Sequence, residues 1–301
     1  MECSPRDPSP GWQRLEGGKT MPVGFEQFRC QSDDDWIATI LRSRHEPVID
    51  GVTFPGFPSE ELQTNSVGVA NDYAILGAGQ FYKAVKALYR RVNGGGLDDA
   101  TILDFGIGWG RIARLFARDA GIGRLYGVDP FPLMLDLCRE TRVPAAVSLT
   151  TADGVLPFRD GLMDLVYAYS VFTHLPEAVA THWIGEIHRA LRPGGLVVIT
   201  LQPPSFLEFV RSLTAVEPPP IWLAPLQAKL AAQSDASDRA AAGEFVYFPT
   251  GGGPHLPPSI YGDAVIPRAF IDRVWADRFQ VLEYPDSPEI KFQAAVALVK
   301  R

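Results

Sequence analysis

Apolar residues along the chain follow two spacings, and the change from one to the other marks its elements. A short helical pattern runs from Trp36 to Leu41, then a Pro- and Gly-rich loop lies around Val52 to Pro58. Between residues 79 and 92, Phe81, Val85, Leu88 and Val92 fall on one helical face, and Gly94-Gly95-Gly96 ends the helix. From 100 to 201 the pattern alternates. Short apolar runs at Ala100–Phe105, Arg124–Val128, Ala146–Leu149, Asp164–Tyr169 and Leu196–Leu201 predict strands. Helical spacing at Arg111–Ala120, Pro132–Thr141 and Pro176–Leu191 predicts helices between them, the last opened by a first-turn proline. Strands separated by helices predict a parallel sheet with right-handed crossovers and a ligand at the carboxyl ends of its strands.

Residues 202–265 break this rhythm. Pro203-Pro204, Pro218-Pro219-Pro220, Gly251-Gly252-Gly253 and Pro257-Pro258 punctuate them, with one helical stretch near 222–232. The pattern resumes with a helix over Pro267–Asp277 and strands over Phe279–Tyr284 and Phe292–Val299. The connection between those strands is too short for a parallel crossover, so they are expected to pair antiparallel. Residues 1–20, rich in Pro, Gly and Ser without periodicity, are expected to be a disordered tail. No internal repeat is visible.

Composition narrows the function more than the fold. Across 301 residues, 46% are hydrophobic and the net charge is −7. That balance provides a core but no electrostatic footprint for nucleic acid. The apolar runs are too short for a membrane span and no secretory signal is visible, so no membrane partner is expected. Cys3, Cys30 and Cys138 have neither metal-ligand nor disulfide spacing, and a reducing cytoplasm is the expected location. No resident metal is expected. The expected partner is a small-molecule acceptor, and the protein partner considered is a second copy in a homodimer.

The chemistry concentrates in Ile102-Leu-Asp-Phe-Gly-Ile-Gly-Trp-Gly-Arg111. A glycine-rich turn between strand and helix brings backbone N–H groups close to a ligand. A nicotinamide fingerprint would need Gly or Ala where Arg111 stands, and Asp104 disfavours a pyrophosphate while suiting an ammonium group. The second strand ends in Gly127-Val128-Asp129-Pro130, where a carboxylate can accept both hydroxyls of a ribose. Thr151-Ala152-Asp153-Gly154, Leu156-Pro157-Phe158, Ser170-Val171-Phe172-Thr173-His174-Leu175 and Leu191-Arg192-Pro193-Gly194-Gly195 follow in order.

This ordered series resembles the class I S-adenosylmethionine-dependent methyltransferases over roughly residues 80–301. The resemblance implies a Rossmann-like, seven-stranded, mostly parallel sheet with an antiparallel last strand and helices on both faces. It implies S-adenosyl-L-methionine as cofactor and S-adenosyl-L-homocysteine as product. By the same resemblance Asp104 with Gly106, Gly108 and Gly110 would hold the methionine end, and Asp129 with Pro130 the ribose. Asp153 with Gly154 would hold the adenine, and the backbone at Ser170 would line the methyl-donor end. The expected organisation is a 21–98 helical or lid segment before a 99–301 methyltransferase domain, with 202–265 inserted for the acceptor.

Methyl transfer is an in-line displacement, helped by positioning and, for an alcohol, by a base. His174, just past the fourth strand of the pattern, is the expected base, with a turn-orienting role as its competitor. His255 in the insertion is a second candidate, whereas His182 and His188 on the covering helix are expected to be structural or exposed. Trp109 is expected either to cover the cofactor or to pack in the core. The Ser170–Leu175 and Tyr261–Trp275 stretches resemble small-molecule methyltransferases of secondary metabolism and surface-sugar assembly. A hydroxyl oxygen is the expected acceptor atom; nitrogen or carbon acceptors, a non-catalytic cofactor-binding protein and a nicotinamide enzyme are the alternatives.

Overall fold

The structure, a computed structural model, describes residues 24–151, 154–213, 222–252, 256–287 and 292–301. The expected tail, and with it Cys3, lies outside the described residues. The chain divides into two compact units after Leu149.

The first unit begins with a 3-10 turn, Phe25–Cys30, and helix α1, Asp33–Arg42. Ser32 caps α1 by accepting from the Asp35 N–H at 3.1 Å, and Asp33, Asp34 and Asp35 complement its N-terminal dipole. Strands β1 (Val48–Ile49) and β2 (Val52–Thr53) form a minimal antiparallel ribbon. Its Asp50-Gly51 turn has both residues at positive φ, 48° and 80°, the geometry that joins two right-twisted strands. Helix α2 (Glu60–Val67) precedes helix α3, which spans Asn71–Asn93 and stops at left-handed Gly94. The apolar stripe of α3 therefore begins two turns before the expected start.

Phe25, Phe28, Trp36 and Phe54 pack ring to ring beneath this segment. Beside them lies a buried polar network. Lys86 donates to Asp33 at 2.5 Å, to Tyr82 at 3.0 Å and to Asp119 at 2.9 Å, while Arg118 also reaches Asp33 and the Tyr82 hydroxyl. Burial acts to raise Asp33's pKa, but Lys86 and Arg118 outweigh it and hold the carboxyl below its usual range. Strands β3 (Ile102–Phe105), β4 (Leu125–Asp129) and β5 (Ala146–Leu149) are parallel, with Asp104 opposite Gly127. Between them lie helix α4 (Ala113–Phe116) and helix α5 (Pro132–Glu140). The expected 111–120 helix is thus one regular turn flanked by tighter ones, such as Leu115 N–H to Ile112 and Asp119 N–H to Phe116.

The second unit holds strand β6 (Met163–Ala168), helix α6 (Glu177–Ala190) and strand β7 (Leu191–Leu201). Pro193-Gly194-Gly195 does not precede β7 but forms an irregularity inside it. The register with β6 jumps from Met163↔Leu191 to Leu165↔Leu196. The insertion is more ordered than its Pro and Gly content predicts. It contains helices α7 (Ser205–Ser212), α8 (Leu223–Ala232) and α9 (Ala236–Ala241), and an antiparallel ribbon of β8 (Val246–Phe248) and β9 (Asp263–Val265). Phe206, Leu207, Val210, Leu223, Leu226 and Val265 bury one another as its own core.

Helix α10 (Arg268–Val274) leads to strands β10 (Phe279–Glu283) and β11 (Ala294–Lys300). β11 runs antiparallel to both β10 and β7, as the short connection requires. The strands follow the order β10-β11-β7-β6-β3-β4-β5 in a seven-stranded mixed sheet. Among the described residues no helix is long and apolar enough to cross a membrane.

Candidate functional site

The first group of expected site residues surrounds the turn that leaves β3. Gly106, Gly108 and Gly110 have φ of 81°, 53° and 77°, a region costly for side chains with a Cβ. At Gly110 a Cβ would also sit 2.6 Å from Val143. At Gly108 it would meet nothing within 4 Å, so space opens above the backbone there. The turn is tied to the neighbouring strand by the Gly106 and Ile107 N–H groups, which both donate to the Val128 carbonyl.

Asp129 at the tip of β4 completes this arrangement. One carboxylate oxygen accepts the Gly108 N–H at 2.8 Å and the other the Phe131 N–H at 2.9 Å. Burial raises its pKa, partly offset by those two donors. An ionised carboxylate has about four lone-pair sites, so two hydrogen bonds leave capacity on both oxygens. Asp129 thereby anchors the turn into α5, while Phe131 is the cap residue. Asp104 is buried on β3, and Pro130 follows Asp129 at the strand end.

Pattern reading did not anticipate Arg114. This buried guanidinium donates to the carbonyls of Gly110 at 3.2 Å and Gly56 at 3.1 Å. It lies 4.2 Å from the Phe57 ring and 4.9 Å from the Trp109 ring. Burial pushes its pKa down to about 9, with Cys138 opposing. Trp109 is 1% exposed, so it packs under the glycine turn instead of presenting a surface. A cation among Ile112, Leu115 and Phe116 is the sequence signal that marks Arg114, because burying it requires the carbonyls of a turn.

The second group lies beyond β6. Ser170 has φ 59°; its N–H donates to Thr200 Oγ1 at 2.7 Å, and its hydroxyl accepts from Gln293 Nε2 at 2.8 Å. His174 is clamped by Gly262. Its Nδ1 lies 2.7 Å from the Gly262 carbonyl, and the Gly262 N–H donates to the His174 carbonyl at 2.9 Å. Tyr261 stacks on the imidazole at 4.5 Å with 12° between planes. With Nδ1–H donating, Nε2 carries the lone pair. Burial holds the imidazole below its usual pKa, opposed by Asp263 and the Gly262 carbonyl. Asp263 itself accepts from Thr250 Oγ1 at 2.8 Å.

Gly154 belongs to a loop fastened by α6. His182 Nε2 lies 2.6 Å from the Gly154 carbonyl, Glu186 accepts the Leu156 N–H at 2.9 Å, and Arg189 donates to the carbonyls of Leu156 and Phe158. His182 therefore supports a loop, while His188 packs its ring edge-to-face on Phe279. Asp153 and His255 lie outside the described residues.

A glycine turn after the first parallel strand and an acid at the tip of the second define a class: a nucleoside-binding α/β domain. Residues 103–199 match the family model described as "Methyltransferase domain". Over that stretch the chain is similar to methyltransferase domains. The chain is 30% identical to 2-methyl-6-phytyl-1,4-hydroquinone methyltransferase of Synechocystis sp., over 35% of this chain and 34% of that protein. It is 27% identical to phosphoethanolamine N-methyltransferase 2 of Caenorhabditis elegans, over 56% and 39%. The match thus spans little more than a third of these curated relatives. Among solved structures, a proposed S-adenosylmethionine dependent methyltransferase from Listeria monocytogenes aligns with a TM-score of 0.50 and 13% identity, over 75% of this chain and 99% of that one. This last likeness concerns the fold.

Proposed function

We propose that the chain is an S-adenosyl-L-methionine-dependent methyltransferase that transfers a methyl group to a hydroxyl oxygen of a small natural product or sugar. The observation that carries this reading is the Asp129 carboxylate, held by the Gly108 and Phe131 N–H groups with lone pairs to spare. Those lone pairs suit the two hydroxyls of a ribose. The open space above Gly108 suits the methionine portion, beside Asp104 and the flanking glycines. Pro130 would border the ribose, and Gly154 with Asp153 the adenine.

When bound, the cofactor supplies an electrophilic methyl group on sulfur. The chain's own residues position and deprotonate the acceptor. Ser170, fixed by Thr200 and Gln293, would line the donor end. His174 is neutral at neutral pH because burial disfavours the imidazolium, and its Nε2 would take the hydroxyl proton as the new C–O bond forms. The Gly262 carbonyl and the Tyr261 ring keep the imidazole in that tautomer and orientation. His255 remains the secondary candidate for the base. The acceptor side is proposed to be the 202–265 insertion, where Gly262, just before β9, clamps the histidine. A cytoplasmic homodimer belongs to the same proposal.

Isothermal titration with S-adenosylmethionine, S-adenosylhomocysteine and NAD tests the reading. Saturable binding of the first two and none of NAD is expected; selective NAD binding overturns it.

A further inference from the structure

Behind the glycine turn lies a cation that the proposed reaction does not use. Arg114 on α4 is 1% exposed. Among the described residues its hydrogen bonds all run to carbonyl oxygens: Gly110 at 3.2 Å, Gly56 at 3.1 Å and, at a long 3.5 Å, Trp109. The Phe57 and Trp109 rings cover its guanidinium. Burial pushes its pKa down to about 9, which leaves it charged at neutral pH. A buried cation held by carbonyls is costly to desolvate. Neutral donors would satisfy the same oxygens without that cost, so the charge itself calls for a use.

A second buried donor holds the turn beside it. Cys138 on α5, also 1% exposed, gives its thiol hydrogen to the Gly108 carbonyl at 3.1 Å. Burial, with Asp104 adding to it, pushes the thiol's pKa up to about 12, so it stays protonated. Peptides are planar and trans, so a carbonyl and the N–H that follows it point in opposite directions. With the Gly108 and Gly110 oxygens drawn to Cys138 and Arg114, the N–H groups of Trp109 and Arg111 point away from those buried donors. The turn thus shows its electropositive edge on the side away from the core. At its centre, nothing lies within 4 Å of where a Gly108 Cβ would stand.

We propose that Arg114 is a positioning residue that makes the glycine turn select a ligand bearing a carboxylate beside its ammonium group, as the amino-acid end of S-adenosylmethionine does. Arg114 touches no ligand. It acts through the peptide it holds, whose N–H edge meets the carboxylate, and through a charge that solvent ions screen little because it is buried. The Cys138 thiol lies in the field of Asp104, Arg114 and Asp129 together, so a zwitterionic ligand meets both signs of charge around one turn. A guanidinium that merely pinned the Gly56 segment would affect every ligand of the turn alike. This inference deepens the methyltransferase reading and rests on it for the placing of the cofactor.

The test is calorimetric titration of the full chain with three probes. They are S-adenosylhomocysteine, its decarboxylated analogue S-adenosyl-3-thiopropylamine, which keeps the ammonium, and methylthioadenosine, which lacks both groups. The parent is expected to bind S-adenosylhomocysteine about tenfold or more tightly than the decarboxylated analogue, the worth of a charge-assisted hydrogen bond. Arg114→Met is expected to remove most of that preference and to weaken methylthioadenosine far less. Arg114→Lys, which keeps the charge, is expected to retain the preference. Equal affinity of the parent for the first two probes overturns the inference. So does a methionine variant that weakens all three probes in the same proportion, or a lysine variant without the preference. If the methionine variant does not fold, the parent and the lysine variant decide. Failure of S-adenosylhomocysteine to bind the parent at all strikes the methyltransferase reading instead, so the two failures are distinct.

Discussion

At the scale of single residues, Asp129 and His174 carry the sharpest expectations. Asp129 joins the glycine turn to β4, so Asp129→Ala removes a tether and, on the proposed reading, a ribose partner together. S-adenosylmethionine affinity is expected to fall about tenfold or more; unchanged affinity by titration would remove Asp129 from the ribose role. For His174 the sign of the pH effect follows from burial. The folded protein holds the imidazole below its ordinary value, whereas the unfolded chain protonates it near 6.5. The unfolded state thus binds the proton first as pH falls. The associated stability is complete above about 6.5 and declines below it toward the folded value. The kcat/KM profile is expected to keep its plateau at neutral pH and to lose activity only below about 6.5. His174→Ala should lower the plateau and leave cofactor affinity intact, and a normal rate in that variant would show that another group takes the proton.

The elements around these residues make separable predictions. Lys86 on α3 is 3% exposed and surrounded by Asp33 of α1, Tyr82 and Asp119. Lys86→Met takes the buried ammonium away from two carboxylates, leaving Arg118 as the cation between them, and is expected to cost about 3 kcal/mol in urea unfolding. A loss below about 1 kcal/mol would mean that the network behaves as a solvated surface pair. Just before β9, a Cβ on Gly262 would collide with the Phe248 carbonyl and fall 2.8 Å from the Tyr247 ring. Gly262→Ala must therefore displace the backbone that clamps His174. Turnover is expected to drop with cofactor titration unaltered, and a fully active variant would show that the clamp is dispensable. The sequence pattern revealed α6, β10 and β11 because their apolar spacing is regular and their connections short. It concealed α7, α9 and the β8–β9 ribbon. Their burial is shared among short pieces of the insertion, and Pro or Gly near an element's end looks the same as Pro or Gly in a loop. It also placed Pro193-Gly194-Gly195 before β7, since a proline inside a strand is ordinarily confined to an edge or an irregularity; the jump in register at β6 supplies the irregularity.

For the molecule as a whole, ligand linkage provides the broadest check. A compound that binds only the folded form stabilises it by about 2.7 kcal/mol at a hundred times its dissociation constant. S-adenosylhomocysteine is therefore expected to raise the unfolding temperature with concentration, and NAD to leave it unmoved; the reverse pattern would reassign the glycine turn. The proposed cofactor side could be laid out from the sequence because Asp104, Gly106, Gly108, Gly110 and Asp129 are close in sequence to strand ends whose positions a parallel sheet dictates. The surroundings of His174 could not. His174 and Gly262 are 88 residues apart, and only the folded insertion brings the imidazole to that carbonyl. The burial of Arg114 likewise depends on the Gly56 carbonyl, supplied from far upstream.

Ser170 has a practical consequence for anyone seeking a hardier form of this protein. A serine held at φ 59° is a place where glycine relieves backbone strain of roughly 1 kcal/mol. A screen for heat resistance alone would therefore tend to select Ser170→Gly, and would discard the hydroxyl that steadies Gln293. Survivors of such a screen are expected to melt later and to methylate more slowly. Measuring residual activity beside melting temperature exposes that exchange, and a Ser170→Gly variant that is both tougher and fully active would show that the serine is retained for some other reason.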